Sequence, residues 1–375
     1  MPENIKKPAA WFARPAARTW TCPPAPAEAR AFHASLPGHA PTPLRELPAL
    51  AAELGVDRVF VKDESSRLGL PAFKALGASW AVHRVLAERA ASGEDPSRPV
   101  TLVTATDGNH GRAVARMARL LGQGAHVFVS GGVHPAASAA IAAEGAEVTR
   151  VDGPYDEAVH RAAAAAAAGT ATVLVQDSAW PGYERIPRWI VEGYSTLFAE
   201  IDAQLAAAAG AQAPDLVAVP VGVGSLAQAA VTHYRGRPAV LSAPALLSVE
   251  PEAAACVIES LTRGELTSVV TGDTAMAGLN CGTPSSLAWP YLRDGLDAAV
   301  AITDADSARA ARTLDALGVS SGPCGAASLA GIRAALTGDG ADDRRAALGL
   351  GPASTLVLLS TEGTDANPQH QEPRS

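Results

Sequence analysis

The sequence has few cysteines and no excess of basic residues. Only four cysteines occur among 375 residues, and no two of them have CxxC spacing. We therefore expect neither a zinc ribbon nor a disulfide framework. The histidines give no reason to expect another metal site. Lysine and arginine total 30 against 38 aspartate and glutamate residues, a net charge of −8. This balance argues against a general nucleic-acid-binding protein, which would show clustered basic residues.

Long apolar runs are also absent. No uninterrupted stretch reaches the roughly 18 residues that a membrane span needs. Residues 1–7 lead into no apolar segment, so we expect no secretory signal and a cytoplasmic location. Hydrophobic residues make up 48% of the sequence and charged residues 18%, a composition typical of a globular protein. At roughly 150 residues per domain, the length suggests two domains.

Short β-branched runs alternate with longer Ala/Leu-rich stretches along most of the chain. The first 45 residues are rich in proline and are expected to form an extended arm, and the polar tail after Asp365 is expected to be loose. The alternation predicts an α/β fold with mostly parallel sheets, whose ligands bind beyond the carboxyl ends of the strands. We predict strands at 59–61, 100–104, 126–129, 147–151, 172–175, 216–219, 245–249 and 356–360, and helices at 72–88, 111–121, 136–144 and 156–168.

Polar or glycine-rich segments follow several of these strands. Lys74 lies near the start of a helix, where the helix dipole gives a cation no benefit, although an exposed helix lysine is the simpler alternative. The 107–111 turn, Asp-Gly-Asn-His-Gly, allows polar groups to face a ligand, or is a plain turn. Residues 222–225, Gly-Val-Gly-Ser, open a helix and resemble a phosphate cradle, although their spacing is not that of a dinucleotide motif.

Polar residues also occur at the ends of two further strands. Asp177 follows the predicted strand 172–175, and a hydroxyl-rich segment begins at Ser360, at the end of the predicted strand 356–360. Each feature alone has an ordinary explanation, such as a solvated loop carboxylate. Together, a reactive amine, a polar Asn turn, a phosphate cradle, a hydroxyl-rich strand end and a carboxylate suit one ligand. That ligand has an aldehyde, a phenolic oxygen, a phosphate and a ring nitrogen. Pyridoxal 5'-phosphate has all four.

With these residues the sequence resembles the fold-type II pyridoxal-phosphate enzymes, the tryptophan-synthase-β and threonine-dehydratase superfamily, over about residues 43–365. Within that group it most resembles the diaminopropionate ammonia-lyases. Dehydratases usually show Ser-Phe-Lys and Ser-Gly-Asn-His, whereas this chain has Ala-Phe-Lys at 72–74 and Asp-Gly-Asn-His at 107–110, as the lyases do. The segments that carry the resemblance are 62–65 with 72–74, 105–111, 175–180 with 182–183, 276–279 with 281–282, and 360–363.

The resemblance implies two three-layer α/β/α domains with the cofactor in the cleft between them. Residues 1–79 and 166–375 would form a large cofactor-binding domain that includes the arm. Residues 80–165 would form a small mobile domain that carries the Asn turn and closes over the substrate. A homodimer acting on a small amino acid is implied, with no nucleic-acid or membrane partner.

The resemblance also implies roles for the cofactor-binding residues. Lys74 would bind the cofactor covalently through its aldehyde, and Asn109 would donate a hydrogen bond to its phenolic oxygen. Ser360, or less favourably Thr361, would meet the pyridine nitrogen. His110 would shape the turn rather than act as a base. The residues implied to hold the phosphate are Gly222, Val223, Gly224 and Ser225.

Two acids account for the implied substrate. The lyases accept both enantiomers of 2,3-diaminopropionate, and Asp107 matches the acid implied for the D-isomer and Asp177 the one for the L-isomer. Each would take the proton at Cα, as an ionised carboxylate within hydrogen-bond reach can do. The β-amino group would then leave as ammonia, protonated by Lys74, and hydrolysis would give pyruvate and a second ammonia.

One segment departs from the lyase pattern. Residues 321–326 read Ser-Gly-Pro-Cys-Gly-Ala, where the lyases carry Ser-Gly-Glu-Ser-Gly-Ala, so an acid near the cofactor ring is missing. This departure bears on the substrate rather than on the cofactor. The alternatives are a serine, threonine or hydroxyaspartate dehydratase, a non-catalytic ligand-binding protein of the same fold, and a nucleotide-binding oxidoreductase. Asp107 argues against the first, and the intact set Lys74, Asp107 and Asp177 argues against the second.

Overall fold

The structure is a computed structural model that describes residues 10–95, 97–106, 108–153, 155–209, 213–237 and 243–366. Its strands are β1 (Trp11–Ala13), β2 (Leu44–Glu46), β3 (Arg58–Asp63), β4 (Thr101–Thr106), β5 (Gly124–Ser130), β6 (Glu147–Val151), β7 (Thr172–Leu174), β8 (Leu216–Pro220), β9 (Ala245–Pro251), β10 (Ala298–Ile302) and β11 (Thr355–Ser360). Its α-helices are α1 (Glu28–Ser35), α2 (Pro48–Leu54), α3 (Lys74–Ala91), α4 (Asn109–Leu120), α5 (Pro135–Ala143), α6 (Tyr155–Ala168), α7 (Arg185–Ala209), α8 (Ser225–Arg235), α9 (Cys256–Arg263), α10 (Trp289–Gly295), α11 (Asp304–Ala316), α12 (Pro323–Leu336) and α13 (Ala341–Leu348).

The larger sheet has seven strands in the order β1-β10-β9-β8-β11-β3-β2. The five central strands are parallel, and only the two edge strands run antiparallel to their neighbours. From β8 the chain continues to β9 and β10 on one side, while β11 and β3 lie on the other. The strand order therefore reverses between β8 and β11, and such a reversal opens a crevice at the carboxyl ends of parallel strands.

Helices cover both faces of this sheet. Alternate residues of each strand enter different apolar clusters: Phe60 and Val217 pack into one, whereas Val59, Val61 and Leu216 pack into the other. In a parallel sheet that is covered on both faces, the strands are continuous apolar runs, as they are here. The larger sheet is thus the middle layer of three.

The smaller sheet is fully parallel, with the order β6-β5-β4-β7. Val103 packs with Ala158 of α6 on one face, and Leu102 packs with Val114 of α4 on the other. The strand order reverses between β4 and β7, so this sheet also opens a crevice at its carboxyl edge. Its last strand, 172–174, lies beyond residue 165, where we expected the small domain to end.

The α/β class and the two mostly parallel sheets are confirmed. The predicted strand 147–151 has the observed bounds, and most other predicted elements differ by one to three residues at an end. The proline-rich beginning is less extended than expected, because α1 forms at 28–35, with Ala29 and His33 buried on one face. The tail from residue 367 lies outside the described residues. Among the helices that the structure describes, none has the length and apolar character to cross a bilayer.

Candidate active site

One cavity lies where the crevices of the two sheets face each other. Segments that follow β4, β7, β8 and β11 contribute to its wall, together with the start of α3. The sequence-predicted site residues that line it are Lys74, Asn109, Asp177, Gly222, Val223, Gly224 and Ser225. Residues from four separate strand ends therefore meet at a single site, as the parallel topology leads us to expect.

Lys74 and Asp177 form the central ion pair of the cavity. The Lys74 Nζ donates to Asp177 Oδ2 at 2.5 Å, and the two side chains are 23% and 9% exposed. Burial alone lowers the pKa of the Lys74 amine, but the Asp177 carboxylate outweighs it and raises that pKa well above its usual value. Burial raises the pKa of Asp177, but Lys74 and then His110 outweigh it and lower that pKa to about 2. The pair is therefore charged throughout the neutral range, and Asp177 is a proton acceptor in direct contact with the amine.

The start of α3 is fixed by contacts on two sides. The Phe73 N–H donates to the Thr361 carbonyl at 3.1 Å, which ties the residue before Lys74 to the segment after β11. On the other side α3 packs closely on α7, since a Cβ at Gly77 would lie 2.5 Å from Tyr194 Cε1 and one at Gly193 2.6 Å from the Leu76 carbonyl oxygen. Two glycines thus let the helices approach closely enough to hold Lys74 at the cavity wall.

Asp177 is positioned by the residue before it. The Gln176 N–H donates to the Tyr183 hydroxyl at 2.8 Å. Its side-chain Oε1 accepts from the Ala105 N–H at 2.9 Å and from the Thr104 hydroxyl at 3.0 Å. These bonds join the end of β7 to β4, so the Asp177 carboxylate leaves the smaller sheet in a fixed direction.

Asn109 is the first residue of α4, and its side-chain Nδ2 donates to Glu362 Oε2 at 2.7 Å. The turn before it is held by the Thr106 hydroxyl oxygen, which accepts from the N–H groups of Gly108 at 2.9 Å and Gly111 at 3.1 Å. Asp107, the acid expected to act on the D-isomer, lies outside the described residues. Its role stays a prediction.

His110 is buried beneath the turn, with 2% exposure. Its Nε2 lies 2.8 Å from the Val175 carbonyl oxygen. Because a carbonyl can only accept, Nε2 carries the proton. Burial lowers the pKa of the imidazole, which favours the neutral form. These contacts tie α4 to the end of β7, in keeping with a residue that shapes the turn.

The glycine-rich segment after β8 enters α8 through Gly224, whose φ of +98° favours glycine. A Cβ at Gly224 would lie 2.6 Å from Leu292 Cδ1, and one at Gly222 would lie 3.0 Å from Cys281 Sγ. The Ser225 hydroxyl donates to the Asp177 carbonyl at 3.3 Å, which ties this segment to the acid. The first N–H groups of a helix have no partner within it, so this segment offers donors to an anion.

Ser360 is fully buried, and its hydroxyl donates to the Ser321 hydroxyl at 2.9 Å. The cavity wall at this strand end is formed by the next two residues, Thr361 and Glu362. Cys324, one of the two departures from the lyase pattern, also lines the cavity. Burial raises the pKa of its thiol, so it is a neutral group rather than a reactive thiolate.

Glu362 and Tyr194 are among the residues of the wall that sequence reasoning missed. Glu362 lies inside a segment that we singled out, and an acid directly after a strand is the same signal that pointed to Asp177. Tyr194 lies in the middle of α7, and its ring packs on Phe73 with ring centroids 4.8 Å apart. No local pattern marks Tyr194, because only the packing of α3 on α7 brings it to the cavity.

Comparison with known proteins identifies the family. The family profile for pyridoxal-phosphate dependent enzymes matches residues 36–350. The diaminopropionate ammonia-lyase of Salmonella typhimurium is 36% identical over 368 residues, which cover 92% of this chain and 90% of that protein. The chain belongs to the pyridoxal-phosphate dependent enzymes, within the diaminopropionate ammonia-lyases. The resemblance seen in the sequence is thereby confirmed.

Solved structures of this family agree with the fold. The Escherichia coli diaminopropionate ammonia-lyase in complex with D-serine has a TM-score of 0.87 and 31% sequence identity, covering 96% of this chain and 95% of that one. Maize serine racemase, at 22% identity and a TM-score of 0.74, shares the fold. The expected fold-type II architecture is confirmed.

The cavity fits the cofactor of the family. An amine at Lys74, an amide at Asn109 and the helix start at 222–225 offer one group each for an aldehyde, a phenolic oxygen and a phosphate. The glycines at 222 and 224 stand where a side chain would collide with neighbouring residues, so this segment can be built only with glycine at both positions. The chemistry of the donors therefore agrees with pyridoxal 5'-phosphate.

Gly224→Ala tests the phosphate cradle. A Cβ there meets Leu292 in a left-handed backbone conformation, so we expect a loss of about 1–3 kcal/mol in the free energy of unfolding and weaker binding of pyridoxal phosphate. Gly351→Ala is the matched control, because a Cβ at Gly351 meets no atom within 4 Å and no left-handed φ is needed there. Equilibrium titration of the cofactor-free variants measures both affinities. A Gly224→Ala protein that binds as tightly as the Gly351→Ala protein would refute the cradle.

Proposed function

We infer that this protein converts 2,3-diaminopropionate and water to pyruvate and two molecules of ammonia by α,β-elimination. The observation that carries this inference is the ionised Asp177 carboxylate, 2.5 Å from the Lys74 amine in a cavity that fits the cofactor. The same reaction class is named for the relatives, at 36% identity over most of the chain.

The cofactor would be held by residues from both sheets. Lys74 would bind its aldehyde, and Asn109 would donate to its phenolic oxygen. The backbone and hydroxyl groups of 222–225 would bind the phosphate. Thr361, which lines the cavity after β11, would meet the ring nitrogen in place of Ser360, whose hydroxyl donates to Ser321. When bound, pyridoxal phosphate withdraws electrons from the substrate's α-carbon and makes its proton removable by a carboxylate.

The proton transfers are assigned to three side chains. Asp177 takes the proton from Cα of the L-isomer, and Asp107 is assigned the same role for the D-isomer. Lys74 Nζ keeps the departing β-amino group protonated, so that it leaves as ammonia rather than as its anion. The Lys74 cation beside Asp177 lowers the pKa of its carboxyl, and the ionised carboxylate is the form that can accept this proton.

The charge of the cavity supports a diamine substrate. Asp177 lines the wall as an ionised acid, and Asp107 adds a second acid two residues before Asn109. A second ammonium group on the substrate is attracted to such acids, whereas the hydroxyl of serine or threonine is not. We therefore favour loss of ammonia over loss of hydroxide.

A substrate comparison tests this function. The purified holoprotein is given the D- and L-isomers of 2,3-diaminopropionate, serine and threonine, and the 2-oxo acid product is followed while the visible spectrum is recorded. Because a charge-assisted contact is lost with serine, we expect kcat/KM to be roughly 10- to 100-fold lower with serine than with diaminopropionate. Faster turnover of serine or threonine would identify a dehydratase. A perturbed spectrum without product would identify a ligand-binding protein.

Three features of organisation remain our proposals. The small domain, expected at 80–165, is better extended to Leu174, because β7 pairs with β4 in the smaller sheet. We propose that this unit closes over the substrate. The homodimer and the cytoplasmic location stay predictions from the sequence.

A further inference from the structure

Glu362 joins the two sides of the active-site cavity. It follows β11 of the larger sheet by two residues and is 3% exposed. Its Oε2 accepts from Asn109 Nδ2 at 2.7 Å, and its Oε1 accepts from the Cys324 N–H at 3.2 Å. One carboxylate therefore links the starts of α4 and α12.

The N-terminus of α12 suits this carboxylate. Pro323 is the first residue of the helix and has no N–H group, so the Cys324 N–H is the first donor that the helix start can offer. The glycine before the helix leaves room for the Glu362 carboxylate, since a Cβ at Gly322 would lie 2.8 Å from Glu362 Oε1. An acid is thus present at this helix start, although residue 323 itself is not acidic.

The contact with Asn109 selects one orientation of the amide. Both Glu362 oxygens accept, one from Asn109 Nδ2 and the other from the Cys324 N–H, so Oε2 faces the nitrogen of the amide and not its oxygen. An amide nitrogen has two N–H groups, and only one is directed at Glu362. The other belongs to the same nitrogen, which is the donor assigned above to the phenolic oxygen of the cofactor.

We propose that Glu362 is a positioning residue that fixes the Asn109 amide so that its nitrogen donates to the phenolic oxygen of bound pyridoxal phosphate. This inference rests on the placement of the cofactor given under the proposed function. It predicts that Glu362 affects the bound cofactor through Asn109. Its influence therefore depends on whether Asn109 is present.

The test is a double-mutant cycle of Glu362→Gln and Asn109→Ala, read by titration of the cofactor-free proteins with pyridoxal phosphate. A glutamine has one acceptor oxygen, so it cannot accept from both the Asn109 amide and the Cys324 N–H, as Glu362 does. We expect Glu362→Gln to weaken cofactor binding by about 10- to 100-fold and to shift the visible absorption maximum of the complex. In the Asn109→Ala background the same substitution is expected to change neither quantity further.

Glu265→Gln is the matched control, because Glu265 is exposed and does not line the cavity. It is expected to leave affinity and spectrum unchanged. Equal effects of Glu362→Gln with and without Asn109, or an unchanged affinity and spectrum, would overturn the proposal. If Glu362→Gln does not fold, Glu362→Asp keeps the charge with a shorter reach and is tested in the same cycle. None of these readouts needs a substrate, so a wild-type protein that binds the cofactor but ignores diaminopropionate would overturn the proposed reaction and leave this inference standing.

Discussion

Lys74→Ala is expected to lower kcat/KM on both isomers of 2,3-diaminopropionate by about 10³-fold or more, because the variant loses the amine that binds the cofactor and protonates the leaving group. The covalent bond to the cofactor is expected to disappear as well. Reduction of the holoprotein with borohydride, followed by peptide mapping, locates that bond on the peptide containing Lys74 in the wild type. Undiminished turnover, or a modified peptide elsewhere, would refute the assignment.

Two controls separate the amine's chemistry from its charge. Lys74→Arg keeps a cation beside Asp177 but cannot supply a neutral nitrogen, so we expect it to be inactive and stable. Lys74→Ala leaves Asp177 buried without its cation, and burial then raises the pKa of Asp177. A folded-state pKa above the unfolded one costs stability as the pH rises, so the Lys74→Ala protein is expected to lose more stability at about pH 8 than at about pH 4. Arg89→Ala, near the other end of α3, is expected to remain active.

The second large effect is expected when a variant of each acid is assayed with each isomer of the substrate. Asp177→Asn is expected to lower kcat on the L-isomer by about 10²- to 10⁴-fold, and Asp107→Asn is expected to do the same for the D-isomer, because each substitution removes the base on one face of Cα. Each variant serves as the control for the other. The measurement is the rate of pyruvate formation from each pure enantiomer.

Asp177→Asn also changes Lys74, since the carboxylate that raises the pKa of the amine is gone. Some loss on the D-isomer is therefore expected in this variant, but it should be smaller than the loss on the L-isomer. Equal losses on both isomers in both variants would refute the division of labour between the two acids.

Much of the fold and of the site could be predicted because the signals are local. Strands of β-branched residues alternate with helical stretches, and parallel topology requires the residues after each strand to gather at one edge. Lys74, Asn109 and Asp177 were found in this way, and the cavity contains all three. The helix α1 was not predicted because it lies within the proline-rich first 45 residues. The strand β10 was not predicted because Ala298–Ile302 contains three alanines.

Long-range contacts could not be predicted from local patterns. Asn109 and Glu362 are 253 residues apart along the chain, and no spacing rule connects them. The orientation of Ser360 could not be predicted either, because its contact with Ser321 depends on how α12 packs beside β11. Which member of a polar strand end faces the cavity is decided by packing, and here Thr361 and Glu362 take that place.

The position of β11 in the larger sheet has a consequence for biosynthesis. It lies between β3 and β8, pairing with both, although it is made almost 300 residues after β3. Until residues 355–360 leave the ribosome, β2 and β3 have no bonded neighbour that joins them to the rest of the sheet. The nascent chain therefore holds an unpaired strand edge for most of its synthesis, a period when such edges favour aggregation. Glu362 and Thr361 emerge only then, so the protein acquires its sheet and its active site in the same last step.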